Sequence, residues 1–137
     1  MRYRFIDHTA DIAFEVYGYS MAELLENSAL AFYEAFVQTD KIDGNVERNV
    51  EVEGEDMELL LYHWLNELLY LFDTEFFAAR DVKVEVEEDG KFKATGVLKG
   101  GRFTPEMVKV EPKAITMHRF KVERGEKGYK AFVVVDI

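Results

Sequence analysis

The sequence predicts an α+β fold in which two helices pack on a mostly antiparallel β-sheet. Short segments that alternate apolar and charged residues, as half-buried strands do, flank two longer segments whose apolar residues recur at helical spacing. These segments follow one another as two strands, a helix, a strand, a helix and four strands, which separates the helices from most of the strands. The chain has 137 residues, of which 48% are hydrophobic, and this suffices for one core. We therefore expect a single domain over residues 1–137.

The first helix has the clearest local signal. Two strand patterns precede it, at residues 3–6 and 11–18. Ser20-Met21-Ala22-Glu23 then matches a capping box, in which a hydroxyl and a carboxylate accept hydrogen bonds from the free amides of a helix start. Apolar residues continue at three- and four-residue spacing until the pattern fades near Gln38. After a polar turn, residues 46–53 alternate again and predict a third strand.

The second helix is predicted from the most apolar run of the chain, residues 59–72. This run is too short and too polar to span a bilayer, so it indicates a central helix with one narrow wet side. The N-terminus carries no apolar signal region, and no other segment is apolar enough to span a membrane. We therefore expect a cytoplasmic protein that has no membrane partner.

The second half of the chain predicts two hairpins. Their strands are expected at residues 82–87, 92–98, 115–123 and 129–137. Asp89-Gly90 is a dipeptide typical of tight hairpin turns and joins the first two strands. Gly100-Gly101 and Pro105 predict a break before the second hairpin. No linker or strong sequence repeat divides the chain.

Composition narrows the classes of function. The chain has no cysteine, which excludes disulfides, thiolate catalysis and cysteine-based metal sites. Its 17 basic and 27 acidic residues give a formal charge of −10, which disfavours direct, tight binding to nucleic acid. The same charge favours a basic partner surface or a cation, and the alternative that it only keeps the protein soluble stays open. No glycine-rich phosphate loop and no serine-centred elbow motif occurs, so the sequence predicts a protein that docks on another protein and is not itself an enzyme.

Oxygen-rich residues lie near both ends of the sequence. Asp7-His8-Thr9-Ala10-Asp11 forms a turn between two strand patterns, and the last strand finishes with Asp136 and Ile137. If the first and last strands meet, Asp11 and Asp136 converge, and two close carboxylates favour a cation between them. Calcium and magnesium prefer such oxygen ligands. Two alternatives stay open: solvated strand ends, or a metal-dependent hydrolase in which Asp7 and Asp11 hold the ion and His8 is the base.

A second candidate segment opens the sixth strand pattern. Lys113-Ala114-Ile115-Thr116-Met117-His118 places a cation, a hydroxyl and an imidazole within six residues. Lysine and histidine can contact an anion or the carboxylate of a partner. An ordinary strand start after Pro112 explains the same residues and stays open as the alternative.

Several segments, in their order and spacing, resemble the archease family from near residue 3 to the end. They are Asp7-His8-Thr9-Ala10-Asp11-Ile12, the stretch with Leu60, Trp64, Asn66-Glu67 and Leu68-Leu69-Tyr70, then Glu75-Phe76-Phe77, Lys113-Ala114-Ile115-Thr116 and Val135-Asp136-Ile137. The resemblance implies a non-catalytic activator of the RtcB-class tRNA-splicing RNA ligase. Such an activator promotes guanylylation of the ligase and repeated turnover, and it broadens the nucleotides that the ligase accepts.

The resemblance also implies site residues and a second class of client. It places a divalent ion on Asp11, Asp136 and the backbone carbonyl of Ile137, with calcium expected in a crystal and magnesium or manganese as alternatives. Asp7, His8, Lys113 and Thr116 are implied as residues that lie beside the ion or face the partner. The alternative function is that of a chaperone or modulator of tRNA or DNA methyltransferases and other nucleic-acid-processing enzymes.

Overall fold

The computed structural model describes residues 1–6 and 11–137, and confirms the α+β class. In the described residues the strands are β1 (Tyr3–Ile6), β2 (Asp11–Gly18), β3 (Val46–Gly54), β4 (Phe77–Asp89), β5 (Lys91–Arg102), β6 (Ala114–Gly125) and β7 (Gly128–Asp136). The helices are α1 (Met21–Phe36) and α2 (Met57–Glu75), with short 3-10 helices at Thr39–Lys41 and Pro105–Met107. None of the helices in this part of the chain is long and apolar enough to cross a membrane.

The described strands form two antiparallel sheets, where the sequence analysis expected one. Among the described residues the strand order is β1-β2-β7-β6 in one sheet and β3-β5-β4 in the other. The sequence predicts the hairpin that each sheet contains. It does not predict the pairing of β2 with β7, which joins segments more than 100 residues apart. Local periodicity cannot encode such a partner choice, because alternation is the same whichever strand lies alongside.

The two sheets belong to two β-α-β-β units of the same topology. In one unit β2 is followed by α1, and the later hairpin β6–β7 gives the strand order β2-β7-β6. In the other unit β3 is followed by α2, and the hairpin β4–β5 gives the order β3-β5-β4. The second unit lies within the sequence of the first, between α1 and β6. The fold therefore contains a structural repeat that is not evident from the sequence.

Two glycines mark the same position in the two units. Gly18 ends β2 and Gly54 ends β3, where each strand turns into its helix. A Cβ atom on Gly18 would meet the backbone nitrogen of Leu24 at 2.5 Å, and one on Gly54 would meet that of Leu60 at 2.4 Å. Since real Cβ contacts are not this short, both turns require glycine for the close approach of strand and helix.

Local capping explains where the helices begin. The Ser20 hydroxyl accepts a hydrogen bond from the backbone N–H of Glu23 at 3.1 Å, and the Glu23 carboxylate accepts one from Tyr19 at 3.1 Å. This confirms the helix start that the capping box predicts. Asp56 performs the same function for α2, because its carboxylate accepts from the N–H of Leu59 at 2.8 Å.

One core joins the two units. Trp64 of α2 is fully buried, and its indole N–H donates to the carbonyl of Leu25 in α1 at 3.0 Å. Its ring lies where a Cβ on Gly96 of β5 would be, 2.4 Å from the nearest ring atom. Residues of both units belong to the same buried cluster, so neither helix buries its apolar face within its own unit alone.

Each helix also closes the edge of the other unit's sheet. A carboxylate oxygen of Glu26 in α1 accepts a hydrogen bond from the backbone N–H of Val84 in β4 at 2.9 Å. In the reciprocal contact, Glu58 of α2 accepts from Val122 in β6 at 2.9 Å. Both β4 and β6 are edge strands, and filling their free amides discourages pairing with another chain. These two bonds tie the units together.

The predicted break at Gly100-Gly101 is wrong, because β5 continues through both glycines to Arg102. Opposite them, the register of β4 shifts between Ala79 and Asp81. A Cβ on Gly100 would lie 1.9 Å from the carbonyl oxygen of Ala78. Glycine at this place thus allows two backbones to come close at a bulge and does not end the strand.

Candidate functional site

The register of β2 and β7 brings two of the predicted metal ligands together. Asp11 lies directly opposite Asp136, and this is the last pair of the ladder. Side chains of directly opposed residues project from the same face with Cβ atoms about 4.5–5.5 Å apart. Asp11 is half-buried and Asp136 is exposed. Two carboxylates therefore stand side by side at one end of the sheet, in contact with solvent.

The start of β6 completes this end of the sheet. Ala114 pairs with Asp136 from the side opposite to Asp11, so Asp136 is flanked by two strands. The backbone N–H of Lys113 donates to the carbonyl oxygen of Asp136 at 2.8 Å. Ile137 follows directly and packs partly against the core. Lys113, Asp136 and Ile137 are consequently fixed within one small region beside Asp11.

Thr116 lies one step further along the same face of the sheet. It pairs with Val134, two residues before Asp136 on β7, and its hydroxyl accepts a hydrogen bond from the backbone N–H of His118 at 3.3 Å. After Thr116 the register of β6 shifts, and regular pairing resumes at Lys121. The Thr116 hydroxyl therefore closes a turn at the beginning of a bulge. Thr116 lies near the carboxylate pair but is not paired with either aspartate.

A cleft of about 380 Å³ opens beside Asp11 and extends toward α1. Glu34 and Lys109 lie on its far side. The Lys109 ammonium donates to the carbonyl oxygen of Glu34 at 2.8 Å, and Thr39 donates to the Glu34 carboxylate at 2.8 Å. The cleft thus has Asp11 at one wall and a hydrogen-bonded carboxylate with its own cation at the other.

The chemistry of these donors fits part of a site for a hard divalent ion. Two carboxylates and a backbone carbonyl are the oxygen ligands that calcium and magnesium take. In residues 1–6 and 11–137, no three His, Asp or Glu side chains are arranged to hold a metal ion together. Asp7 and His8, which the sequence analysis also assigned, lie outside the described residues. Asp11 and Asp136 would hold the ion, with Ile137 contributing its carbonyl.

Sequence reasoning missed Glu34 and Lys109. Glu34 lies on α1 between buried aromatic residues, where the sequence pattern predicts an ordinary solvent-facing residue. Lys109 follows a short 3-10 helix. The backbone N–H of Lys109 donates to the carbonyl of Phe36 at 2.8 Å, and this tertiary contact brings the lysine to the helix. No local sequence pattern predicts the contact between Glu34 and Lys109, which are 75 residues apart.

Comparison with known proteins gives matches over almost the entire chain. The family model described as Archease protein family (MTH1598/TM1083) matches residues 3–137. The chain is 71% identical over 137 residues to a protein of Archaeoglobus fulgidus named archease, covering 100% of both sequences. It is 46% identical over 135 residues to the archease of Pyrococcus furiosus, covering 96% of this chain and 95% of the other.

Two solved structures share the fold. The solution structure of protein 1598 of Methanobacterium thermoautotrophicum superposes with a TM-score of 0.88 at 36% identity, covering 98% of both chains. The crystal structure of a Thermotoga maritima protein, described as an archease and possible chaperone, gives a TM-score of 0.62 at 29% identity. That alignment covers 100% of this chain and 98% of the other. The two-sheet arrangement is therefore also found in experimentally determined structures.

Proposed function

Because the chain belongs to the archease protein family, we propose that it is a non-catalytic activator of an RtcB-class tRNA-splicing RNA ligase. In this role it docks beside the ligase active site and promotes guanylylation of the ligase histidine and repeated turnover. The observation that carries the proposal is the pairing of Asp11 with Asp136 at the solvent-exposed end of the β2–β7 ladder. The ligase, which uses GTP and manganese, supplies the reaction chemistry.

The carboxylate pair supports a docking role because two adjacent like charges in contact with solvent favour a cation between them. A divalent ion at such a site neutralises the repulsion between two like charges and accepts further oxygen ligands from a partner. Asp11 and Asp136 would hold this ion, and the Lys113–Asp136 backbone bond would keep Asp136 oriented. The ion could be calcium, magnesium or manganese.

The overall charge supports the choice of partner. A formal charge of −10 favours rapid encounter with a basic surface, and an enzyme that binds RNA presents such a surface. The same charge disfavours tight binding of RNA by the chain itself. A helper of this kind leaves the RNA to the ligase and acts on the enzyme.

The test measures guanylylation of the cognate ligase in a single turnover, followed by multiple-turnover ligation of a split tRNA. Wild-type protein should accelerate both, and Asp11→Asn or Asp136→Asn should lose most of the acceleration. Glu47→Gln is the matched control, because Glu47 occupies in β3 the position that Asp11 occupies in β2, seven residues before the glycine that ends the strand. Full stimulation by both aspartate variants, folded as judged by thermal unfolding, would refute the proposal.

A second candidate function is that of a chaperone or modulator of nucleic-acid-modifying enzymes such as tRNA methyltransferases. The description of the Thermotoga maritima relative as a possible chaperone favours it, as do several large exposed apolar side chains. They are Met1, Phe5, Tyr19, Tyr70, Phe76 and Met117. A chaperone that binds apolar surface should suppress aggregation of a heated methyltransferase equally well with Asp11→Asn and Asp136→Asn. An activator that works through the carboxylates should not behave in this way.

A further inference from the structure

The outward face of the β1-β2-β7-β6 sheet carries a second cleft, of about 440 Å³, distant from the carboxylate pair. We call it the outer-face cleft, and its lining residues include Arg4, Glu15, Arg119, Lys121, Lys130 and Phe132. Phe132 lies four residues before Asp136 on β7, which corresponds to about 13 Å along the strand. The volume of the outer-face cleft is in the range of ligand-binding clefts. The proposed docking role does not use this cleft.

Glu15 is a buried carboxylate that organises the cations of the cleft. It is 6% exposed, although it lies on the outward face of β2. Its carboxylate accepts a hydrogen bond from the Arg4 guanidinium at 2.6 Å and from the Tyr17 hydroxyl at 3.2 Å, and the Lys130 ammonium lies 3.1 Å away. The two exposed cations are thus held at defined positions on neighbouring strands, one on each side of β2.

Arg119 is held in the cleft by a strained backbone. Its φ of 56° lies in the left-handed region, which is costly for a residue with a Cβ atom. It belongs to the bulge of β6, where four residues between Thr116 and Lys121 stand opposite a single residue of β7. The Arg119 guanidinium lies over the ring of Phe132 at 5.2 Å from its centroid, while Phe120 packs edge-on against Tyr62 of α2. Strain of this kind concentrates at binding and catalytic sites.

The cleft is positively charged in a strongly acidic protein. Four cations line it, namely Arg4, Arg119, Lys121 and Lys130, against the carboxylates of Glu15 and Glu123. Two positive charges are therefore in excess, whereas the chain as a whole carries −10. Random placement of 17 basic residues among 27 acidic ones favours the opposite sign. Concentrated cations around a concave surface raise the local concentration of anions.

We propose that the outer-face cleft binds a compact phosphate-bearing ligand, with the phosphate held by Arg119, Lys121 and Lys130. Guanidinium and ammonium groups are the side chains that hold phosphate oxygens, and charge-assisted hydrogen bonds of this kind are the strong ones. The ring of Phe132 forms an apolar floor for the rest of the ligand. The ligand is a phosphate monoester or phosphoanhydride of about mononucleotide size.

The charge of the remaining surface argues for a compact ligand. Electrostatic interactions at physiological salt decay over about 8 Å, so an anion confined to the cleft experiences mainly the cations that line it. A long polyanion such as RNA would extend beyond the cleft over a chain whose net charge of −10 repels it. The cleft should therefore not prefer a longer ligand over a shorter one.

The test is a titration of isotope-labelled protein with inorganic phosphate, AMP, ATP or single-stranded RNA oligonucleotides of increasing length. The buffer contains EDTA, and binding is followed by amide NMR shifts. EDTA removes divalent ions, so a failure of the carboxylate pair to bind metal leaves this test unaffected. ATP should give saturable shifts confined to β1, β2, β6 and β7. Arg119→Gly and Lys121→Gln should each weaken binding about tenfold, the usual effect of losing one charge-assisted hydrogen bond. Lys83→Gln, an exposed cation of β4 in the other unit, is the control and should leave the affinity unchanged.

Arg119→Gly separates binding from stability, because glycine adopts a positive φ without strain. The variant should unfold at the same temperature as wild type or above it, and still lose affinity. Unchanged ATP affinity in this variant would overturn the proposal. The proposal would also be overturned if none of the phosphate compounds gave saturable shifts. Binding that strengthens steadily with the length of RNA would overturn the choice of a compact ligand.

Discussion

The two β-α-β-β units differ in the charges of one equivalent residue pair: the pair is like-charged in the first unit and oppositely charged in the second. Asp11 pairs with Asp136 at the end of the β2–β7 ladder, and Glu47 pairs with Lys99 at the equivalent position of the β3–β5 ladder. Opposite charges in direct register stabilise an antiparallel pair, whereas like charges destabilise it. The second unit thus follows the rule for a stable sheet at this position, and the first unit departs from it.

In a repeated fold, function is expected where one unit departs from a rule that the other unit follows. Departures from local rules that bring no gain in stability mark residues kept for another purpose. The first unit contains a second departure, the left-handed Arg119 in the bulge of β6. The second unit also has a left-handed residue other than glycine, Phe76, but Phe76 caps the C-terminus of α2, where this conformation commonly ends a helix. Both departures lie on the sheet that contains β2 and β7. Both proposed binding surfaces therefore lie on the first unit.

The largest effect is expected at the two glycines that define the repeat. Gly18→Ala and Gly54→Ala each force a Cβ against helix backbone, which cannot move aside as a flexible side chain can. Overpacking of this kind should lower the free energy of unfolding by about 3 kcal/mol in both variants. Chemical denaturation measures the loss, and Gly44→Ala is the control because a Cβ there meets nothing within 4 Å. A large loss at one glycine alone would break the equivalence of the units.

The reciprocal helix-to-edge contacts should have the next largest effect. Glu26→Ala leaves the N–H of Val84 without its acceptor, and Glu58→Ala does the same at Val122. Loss of a part-buried acceptor should lower the free energy of unfolding by about 1–2 kcal/mol. Glutamine retains an acceptor oxygen, so Glu26→Gln and Glu58→Gln should lose less. Faster hydrogen exchange at the Val84 or Val122 amide would localise the effect, and unchanged exchange would contradict it.

Local features of the fold could be predicted from the sequence, because short-range interactions produce them. The Ser20–Glu23 capping box gave the start of α1, and the Asp89-Gly90 dipeptide gave the turn between β4 and β5. Alternation located most strand ends to within two residues, but β4 begins five residues before its predicted start and β5 ends four residues after its predicted end. The convergence of Asp11 with Asp136 was also expected, on the condition that the first and last strands meet, and β2 and β7 do pair.

The division into two units was not predictable, because the units share topology and few residues. Gly18 and Gly54 correspond, as do Leu24 and Leu60, but Glu26 and Glu58 close the sheet edges from different turns of their helices. The outer-face cleft was missed for a related reason. Its cations come from β1, β6 and β7, which only the pairing of β2 with β7 brings into one sheet. A positive φ at Arg119 leaves no signature in the residue type.

Calcium should distinguish the ends of the two ladders. If Asp11 and Asp136 hold the ion, calcium at ten times its dissociation constant should raise the free energy of unfolding of the wild type by about 1.4 kcal/mol. Removal by EDTA should reverse the gain. Asp136→Asn should abolish it and Glu47→Gln should not, as followed by thermal unfolding with increasing calcium. An equal gain in all three proteins would show that the ion binds elsewhere.

The smallest effect is expected from the pH dependence of the Glu15 cluster. Burial acts to raise the pKa of Glu15, but the hydrogen bonds from Lys130 and Arg4 outweigh it and hold the pKa below its ordinary value of 4.5. A carboxyl whose pKa is lowered on folding stabilises the folded state above pH 4.5 and loses this contribution as the pH falls through the folded-state pKa. Glu15→Gln should therefore be less stable than wild type at pH 7, by about 0.5–1 kcal/mol, and the difference should shrink below pH 4.

Glu51→Gln is the matched control in the second unit. Glu51 lies three residues before Gly54, as Glu15 lies three residues before Gly18, but its side chain is 60% exposed and its ion pair with Lys93 is 3.3 Å long. An exposed pair of this length contributes little, because solvent and salt screen it. Acid titrations of unfolding free energy for the two variants should therefore diverge at neutral pH and approach each other in acid. Parallel curves would mean that the buried carboxylate contributes no more than its exposed counterpart, and the cations of the outer-face cleft would then need another anchor.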